Sequence, residues 1–280
     1  MANDTAIRFG FGKNWESFVD SHFSQERVEL AMQSMRDLLG VDNLVGRTFL
    51  DIGSGSGLFS LAAVGLGADR VVSFDFDADS VRTTDRLRSL ANVEPARWQV
   101  LRGSVLDPEF MASLAPADIV YSWGVLHHTG DLWTAVDAAA AKVKPGGLLA
   151  LSIYNKVDRR FAGSNLWLAI KRTYVHSPLP VKWLMEGAYV ANFIVRHLIT
   201  FRNPFRIIAA YRNERSRGMS FWHDVRDWVG GYPYEVATAG EMFCYLHQKH
   251  GLQLENMTTT HSVGCNEFVF SRPMCTREER

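Results

Sequence analysis

The stretch "LDIGSGSGLFS", residues 50–60, places a glycine-rich turn directly after an apolar run, and its reading decides the fold. Glycines at such a turn let the backbone take positive φ and approach a ligand with no Cβ in the way. Three kinds of ligand loop compete for it. A P-loop runs Gly-x-x-x-x-Gly-Lys-[Ser/Thr], its lysine reaching the terminal phosphates. Here Leu58 and Phe59 follow Gly57, so that reading fails. A dinucleotide fingerprint runs Gly-x-Gly-x-x-Gly, but Gly53-Ser54-Gly55-Ser56-Gly57 brings the third glycine one residue early. The turn also begins with Asp51, whose carboxylate would repel a pyrophosphate and would suit a ligand carrying an ammonium group.

Outward from the turn, Thr48 to Ile153 alternates short β-branched or apolar runs with longer segments of helical spacing. The pattern predicts strands at 47–53, 70–76, 98–103, 117–123 and 147–154. Helices fall between them at "LFSLAAVGLG", "DADSVRTTDRLRSL" and "LWTAVDAAAAKV". Asp77 or Asp79 can cap the second helix, and Pro145-Gly146-Gly147 stops the third. Strands alternating with helices imply right-handed crossovers and a doubly wound α/β architecture, a parallel sheet covered on both faces. Ligands in such sheets sit at the carboxyl ends of the strands.

The 280 residues are 47% apolar, enough for a substantial core, and the formal net charge is zero, so no global field recruits nucleic acid. Cys244, Cys265 and Cys275 lie far apart with no Cys-x-x-Cys pair, which fits a reducing compartment and argues against a disulfide framework or a zinc cluster. "MANDTAIRFGFGKNW" has no apolar core of signal-peptide length, so a cytoplasmic location is expected. The charge is unevenly spread. From Lys156 to Arg217 twelve basic residues face three acidic ones, a balance of +9 that leaves −9 for the rest. Within that segment residues 183–201 are strongly apolar but include Glu186, Arg196 and His197, so they are not read as membrane-spanning. The expected organisation is an N-terminal helical cap over 1–46, a ligand-binding core over 47–155, a basic helical insertion over 156–220, and a return to the sheet over 221–280.

Across roughly Thr48 to Ile153 the chain resembles the class I S-adenosylmethionine (SAM)-dependent methyltransferases, whose first motif reads acidic-x-Gly-x-Gly-x-Gly. SAM carries a cationic sulfonium, an α-ammonium and a ribose, which agrees with the acid at Asp51. Asp75, 18 positions after Gly57, falls where an acid accepts the ribose hydroxyls. Ser104 in "RGSVLD" matches the position that commonly contacts adenine, although the family often has an acid there. "YSWGVLHHTGD" and "KVKPGGLLALSIYN" match the loop after the fourth strand and the turn into the fifth. The resemblance implies a Rossmann-like fold and SAM as cofactor with S-adenosylhomocysteine (SAH) as product; no metal is expected, a site built from His127, His128 and Asp131 being the minor alternative. Its cofactor residues are Asp51, Gly53, Ser54, Gly55, Gly57, Asp75, Phe76, Ser104, Val105, Ser122 and Trp123. Trp15 joins them where it forms an N-terminal flap with Lys13 and Asn14; docking of an N-terminal helix is the equal alternative for that stretch.

"GVLHH" followed by "PGGLLALSIYN" looks like the ubiquinone-type small-molecule O-methyltransferases. The [Asn/Asp]-Pro-Pro-aromatic motif of nucleic-acid adenine methyltransferases is absent where Tyr121-Ser122-Trp123-Gly124 stands, so no nucleic-acid substrate is expected. Methylation of a hydroxyl needs alignment and removal of a proton. His127 or His128 is a candidate base, or either packs against the following helix with Asp131. "FWHDVRDWVGGYPYE" (221–235) supplies a second candidate pair, His223 with Asp224, or else serves as a rigid linker. The acceptor is expected to be small or lipid-like and methylated at oxygen. Methylation at nitrogen or carbon, or SAM binding without turnover, stays open. Three uses are open to the basic insertion: a lid over an anionic acceptor, a dock on a membrane surface, or a homodimer surface. The lid is narrowly preferred.

Overall fold

The computed structural model describes residues 8–9, 25–159, 161–214 and 221–274. Seven strands form one sheet: β1 Thr48–Ile52, β2 Arg70–Asp75, β3 Trp98–Arg102, β4 Ala117–Trp123, β5 Val143–Tyr154, β6 Gln253–Thr258 and β7 Cys265–Ser271. Their order across it is β3-β2-β1-β4-β5-β7-β6. β1 to β5 are mutually parallel, whereas β7 runs antiparallel between β5 and β6. The order reverses between β1 and β4, and such a switch point opens a crevice at the strands' carboxyl ends.

The helices in chain order are α1 Gln25–Leu39, α2 Leu58–Gly65, α3 Ala78–Leu90, α4 Pro108–Ser113, α5 Leu132–Ala141, α6 Ser164–His176, α7 Leu179–Ile199, α8 Pro204–Glu214, α9 Phe221–Gly230 and α10 Ala239–His250. Successive strand residues point to opposite faces, and the core splits accordingly. Phe49, Ile119 and Ala150 join α1, α2 and α3 on one face. Leu50, Val120 and Leu149 join α4, α5 and α10 on the other. Trp98, Phe49 and Phe268 are fully buried, each contributing about 1.5–3 kcal/mol by leaving water.

Local chemistry sets the element ends. Asp77 caps α3 by accepting the Asp79 N–H at 2.8 Å. Thr238 and Glu241 form a reciprocal capping box at α10. Pro145-Gly146-Gly147, expected to stop the third helix with the strand opening at Gly147, falls wholly inside β5, where the register against β4 slips between Ala117 and Ile119. Helices α6 to α9 follow β5, and of these α7 and α9 wall the crevice.

Candidate active site

A cavity of about 1260 Å³ opens at the switch point among the described residues. Pockets for one ligand usually occupy about 300–1,000 Å³, so this volume has room for two molecules. Its two ends differ in chemistry.

The first end is built on the glycine turn. Gly53 has φ +80°, and a Cβ there would lie 2.4 Å from Val125. Gly57 also has φ +80°, but it does not line the cavity. A Cβ on it would press on Thr84 of α3 at 3.0 Å, so this glycine serves helix packing. Thr84 also braces the turn, bonding Ser54 Oγ at 3.0 Å and the Gly55 carbonyl at 3.2 Å. Asp75 ends β2 at the cavity wall. Its Oδ2 accepts the Gly55 N–H at 3.0 Å and its Oδ1 the Asp77 N–H at 2.9 Å. Burial nevertheless pushes its carboxyl up to about 6, outweighing those bonds.

Asp51 is buried at the foot of the same end. The Ser60 hydroxyl donates to its Oδ2 at 2.5 Å, and Ser60 in turn bonds Ser73, which accepts the Trp98 indole N–H at 2.7 Å. Burial lifts the Asp51 carboxyl to about 7; the Ser60 bond opposes this, and the charge of Asp75 adds to it. Ser60 is its one hydrogen-bond donor among the described residues. A carboxylate so desolvated is stabilised by a cation, and the α-ammonium of SAM is one. The residues at this end therefore fit SAM: an acid for the ammonium, close backbone at Gly53 and Gly55, and an acid for the ribose.

Phe76, Ser104, Val105 and Trp123 line the cavity. Ser122 does not. Its hydroxyl is fully buried and donates to the Ile52 carbonyl at 3.0 Å, tying β4 to β1. Trp15, Lys13 and Asn14 lie outside the described residues. Arg8 and Phe9, which are described, do reach the cavity: Arg8 donates to the Thr129 carbonyl at 2.7 Å, and its guanidinium sits 5.2 Å from the Phe76 ring centre.

The second end carries the histidines, on a turn of 3₁₀-helix at Leu126–His128. Both line the cavity, with ring centres 4.4 Å apart. His127 Nδ1 accepts the Tyr154 N–H at 3.3 Å, so its proton is on Nε2, which is buried with no partner among the described residues. His128 is the opposite tautomer. Its Nδ1 donates to the Pro233 carbonyl at 2.6 Å, which places the lone pair on Nε2. Burial lowers both rings, His128 to about 3, with the Lys171 charge acting in the same direction. Both are neutral at physiological pH. Asp131 does not bond them; it caps α5 through the Thr134 N–H at 3.2 Å.

The 221–235 stretch divides between two roles. α9 presents Asp224, Asp227 and Trp228 to the cavity, whereas the side chain of His223 lies outside the described residues. The following loop fastens the histidine turn: the Glu235 N–H donates to the His127 carbonyl, and the Glu235 carboxylate accepts from Gly130 and Leu132 at the start of α5. Asp227 was not singled out by sequence as a site residue, and neither was Lys171. Lys171 is completely buried behind the wall, donating to the Trp228 carbonyl, with the rings of Trp228, Tyr234 and Tyr154 at 4.7, 5.1 and 5.5 Å. Burial lowers its ammonium to about 7, against the pull of Asp227. A signal existed: Ser164, Trp167, Lys171 and Tyr174 recur at helical spacing, which puts a lysine on the inner stripe of α6.

A doubly wound sheet with an acid-flanked glycine turn at its switch point defines a class of α/β proteins that bind nucleoside-type ligands. Comparison with known proteins narrows this. The chain belongs to the methyltransferase-domain family, whose model matches residues 24–198. The class I SAM-dependent resemblance is thereby borne out, with SAM as the cofactor.

Among curated relatives, a ribosomal protein L11 methyltransferase of Pseudomonas aeruginosa is 37% identical over 109 residues, 39% of this chain and 34% of that protein. A ubiquinone biosynthesis O-methyltransferase of a Methylobacterium species is 33% identical over 158 residues, 55% of this chain and 56% of its own length. The chain thus spans about a third to a little over half of the curated relatives it matches. The solved structure of magnesium protoporphyrin IX methyltransferase from Synechocystis, with bound SAH, shares the fold at a TM-score of 0.54 and 14% identity, covering 96% of this chain and all of that one.

Proposed function

We propose that this protein transfers the methyl group of SAM to an oxygen of a small, apolar-bodied acceptor that enters the aromatic end of the cavity. The observation that carries the reading is the two-ended lining. A cofactor end with Asp51, Gly53, Gly55 and Asp75 continues without a partition into an end walled by Tyr154, Trp228, Phe193 and Phe221 around two neutral histidines. The partial match to an O-methyltransferase of ubiquinone biosynthesis supports oxygen, and the partial match to a protein methyltransferase leaves that choice to experiment.

Asp51 would hold the ammonium and Asp75 the ribose hydroxyls, with Phe76, Ser104 and Val105 around the base. Bound SAM supplies a methyl group on a cationic sulfur, displaced in line with a neutral thioether leaving. The chain contributes alignment, which lowers such barriers by several kcal/mol, and handling of the hydroxyl proton. His127 donates from Nε2 to the acceptor oxygen and favours its ionised form. His128 accepts the hydroxyl proton in a hydrogen bond at Nε2. With a conjugate acid near 3 it does not keep that proton, and Asp227 in the same wall takes it. The Lys171 charge behind Tyr154 favours the oxyanion further.

Asp224 and Asp227 together support a second reading, an amine acceptor drawn in by two carboxylates. One experiment separates the two. The protein is incubated with ¹³C-methyl SAM and a panel of phenols, hydroxylated amphiphiles and amines, and the labelled product is examined by NMR. Oxygen-bound label with SAH release is the expected result. Nitrogen-bound label selects the second reading, and no SAH release with any acceptor refutes turnover.

A further inference from the structure

Helix α7 spans 21 residues, and none of them is buried. Its inner side is engaged: Tyr189 and Phe193 line the cavity, and Glu186 accepts the Tyr174 hydroxyl at 2.6 Å and pairs with Arg226. Its outer side is made of Leu184, the adjacent Gly187 and Ala188, Ala191, Val195 and Leu198, all exposed and recurring at helical spacing. Asn192 and Arg196, also exposed, border that row. At the turn into α8 the apolar surface becomes a point. Ile199 is 71% exposed and Phe205 67%, and Phe201, held at φ +54°, is 99% exposed. A non-glycine residue in that conformation is uncommon, and here it projects a phenyl ring into solvent.

The charges this segment itself carries are nearly all of one sign. Between residues 161 and 209 Glu186 is the sole acid, and it faces inward, whereas Arg196, Arg202 and Arg206 are exposed at the α7–α8 corner. A second copy docking through the same face would bring these arginines together, since a two-fold contact pairs a patch with itself. An anionic surface offsets them instead. No helix among the described residues is long and apolar enough to cross a membrane, so the geometry is that of a helix lying in the interface.

We propose that the outer face of α7 and the Phe201 corner form a dock for an anionic lipid bilayer, with the apolar row and phenyl rings entering the acyl boundary and Arg196, Arg202 and Arg206 meeting headgroup phosphates. The dock is the other side of the wall that Tyr189 and Phe193 give to the cavity. It does not depend on which reaction the cavity performs.

The test is co-sedimentation of the full chain with vesicles of phosphatidylcholine, with and without one quarter phosphatidylglycerol, at low and high salt. Three forms are compared: wild type, Leu198→Glu/Phe201→Glu, and Arg196→Gln/Arg202→Gln/Arg206→Gln. Wild type should bind the anionic vesicles at least tenfold better than the neutral ones, and less well in high salt. The glutamate variant should lose at least tenfold. The glutamine variant should lose on the order of 100-fold on anionic vesicles, at about fivefold per charge. SAM affinity by calorimetry should be unchanged in both, which separates failure of the dock from failure of the cofactor site. Should the glutamate pair unfold, the glutamine variant still decides the matter. Equal partition of wild type and glutamine variant would overturn the proposal, and so would a dimer in sedimentation velocity that the substitutions dissolve while vesicles bind nothing.

Discussion

Replacing Asp51 by Asn should stabilise the ligand-free protein and weaken its hold on SAM, and pH separates the two effects. The folded carboxyl titrates at about 7 against 3.8 in an exposed reference. The folded state therefore binds more protons than the unfolded chain between those values, and stability falls as pH rises through that window. From pH 5 to pH 8 the linkage amounts to about 2.6 kcal/mol. For a chain of this length that is a Tm difference of about 4 °C. A neutral asparagine side chain at this position carries no such penalty. The melting temperature of Asp51→Asn relative to wild type should thus rise by about 4 °C between pH 5 and pH 8 without ligand. Saturating SAM should close most of that gap at pH 8, because the variant lacks a charge-assisted contact of about 1.5–3 kcal/mol, roughly 10- to 150-fold in Kd. Differential scanning fluorimetry at the two pH values, with and without SAM, reads all four quantities. A wild type and variant whose difference does not move with pH would refute the buried, cation-seeking carboxylate.

Three further outcomes follow from the geometry. Gly57→Ala, with φ +80° and Thr84 only 3.0 Å from the added Cβ, should cost about 1–3 kcal/mol of stability by chemical denaturation, whereas Gly55→Val should abolish SAM binding in a chain that still folds by circular dichroism. Lys171→Met removes an ammonium lowered from 10.5 to about 7. A cation depressed by burial destabilises the fold most below its folded pKa, so the variant's stability advantage should shrink by about 2–3 kcal/mol between pH 6 and pH 9; an advantage independent of pH would mean Lys171 is not held as a buried cation. His128→Gln should lower kcat about 10- to 100-fold with SAM affinity intact, and full turnover would place proton acceptance elsewhere.

Much of the core was legible because parallel strands buried on both faces read as unbroken apolar runs. β1 to β4 fall within a residue of the sequence pattern, and Asp75 ends β2 as its spacing from the glycine turn implied. What stayed hidden was set by partners distant in the chain. His127 and His128 are neighbours with opposite tautomers, because Tyr154 donates to one and Pro233 accepts from the other. Ser122 and Gly57 sit inside motifs yet serve the sheet and a helix contact, because each faces away from the cavity. The apolar run at 183–201 was visible, but hydropathy alone does not say which side of a helix stays in water. Only once Tyr189 and Phe193 are placed on the cavity is the outer row of Leu184 to Leu198 seen to be exposed.

The central claim is that the glycine turn and Asp75 hold SAM. Titration calorimetry of SAM into wild type and Asp75→Ala tests it most directly, with NADH as the competing ligand. One SAM per chain should bind wild type, Asp75→Ala should lose about 1–3 kcal/mol of that binding while keeping its melting temperature within a few degrees, and NADH should give no heat. Unchanged SAM affinity in Asp75→Ala, or NADH binding where SAM does not, would contradict the account.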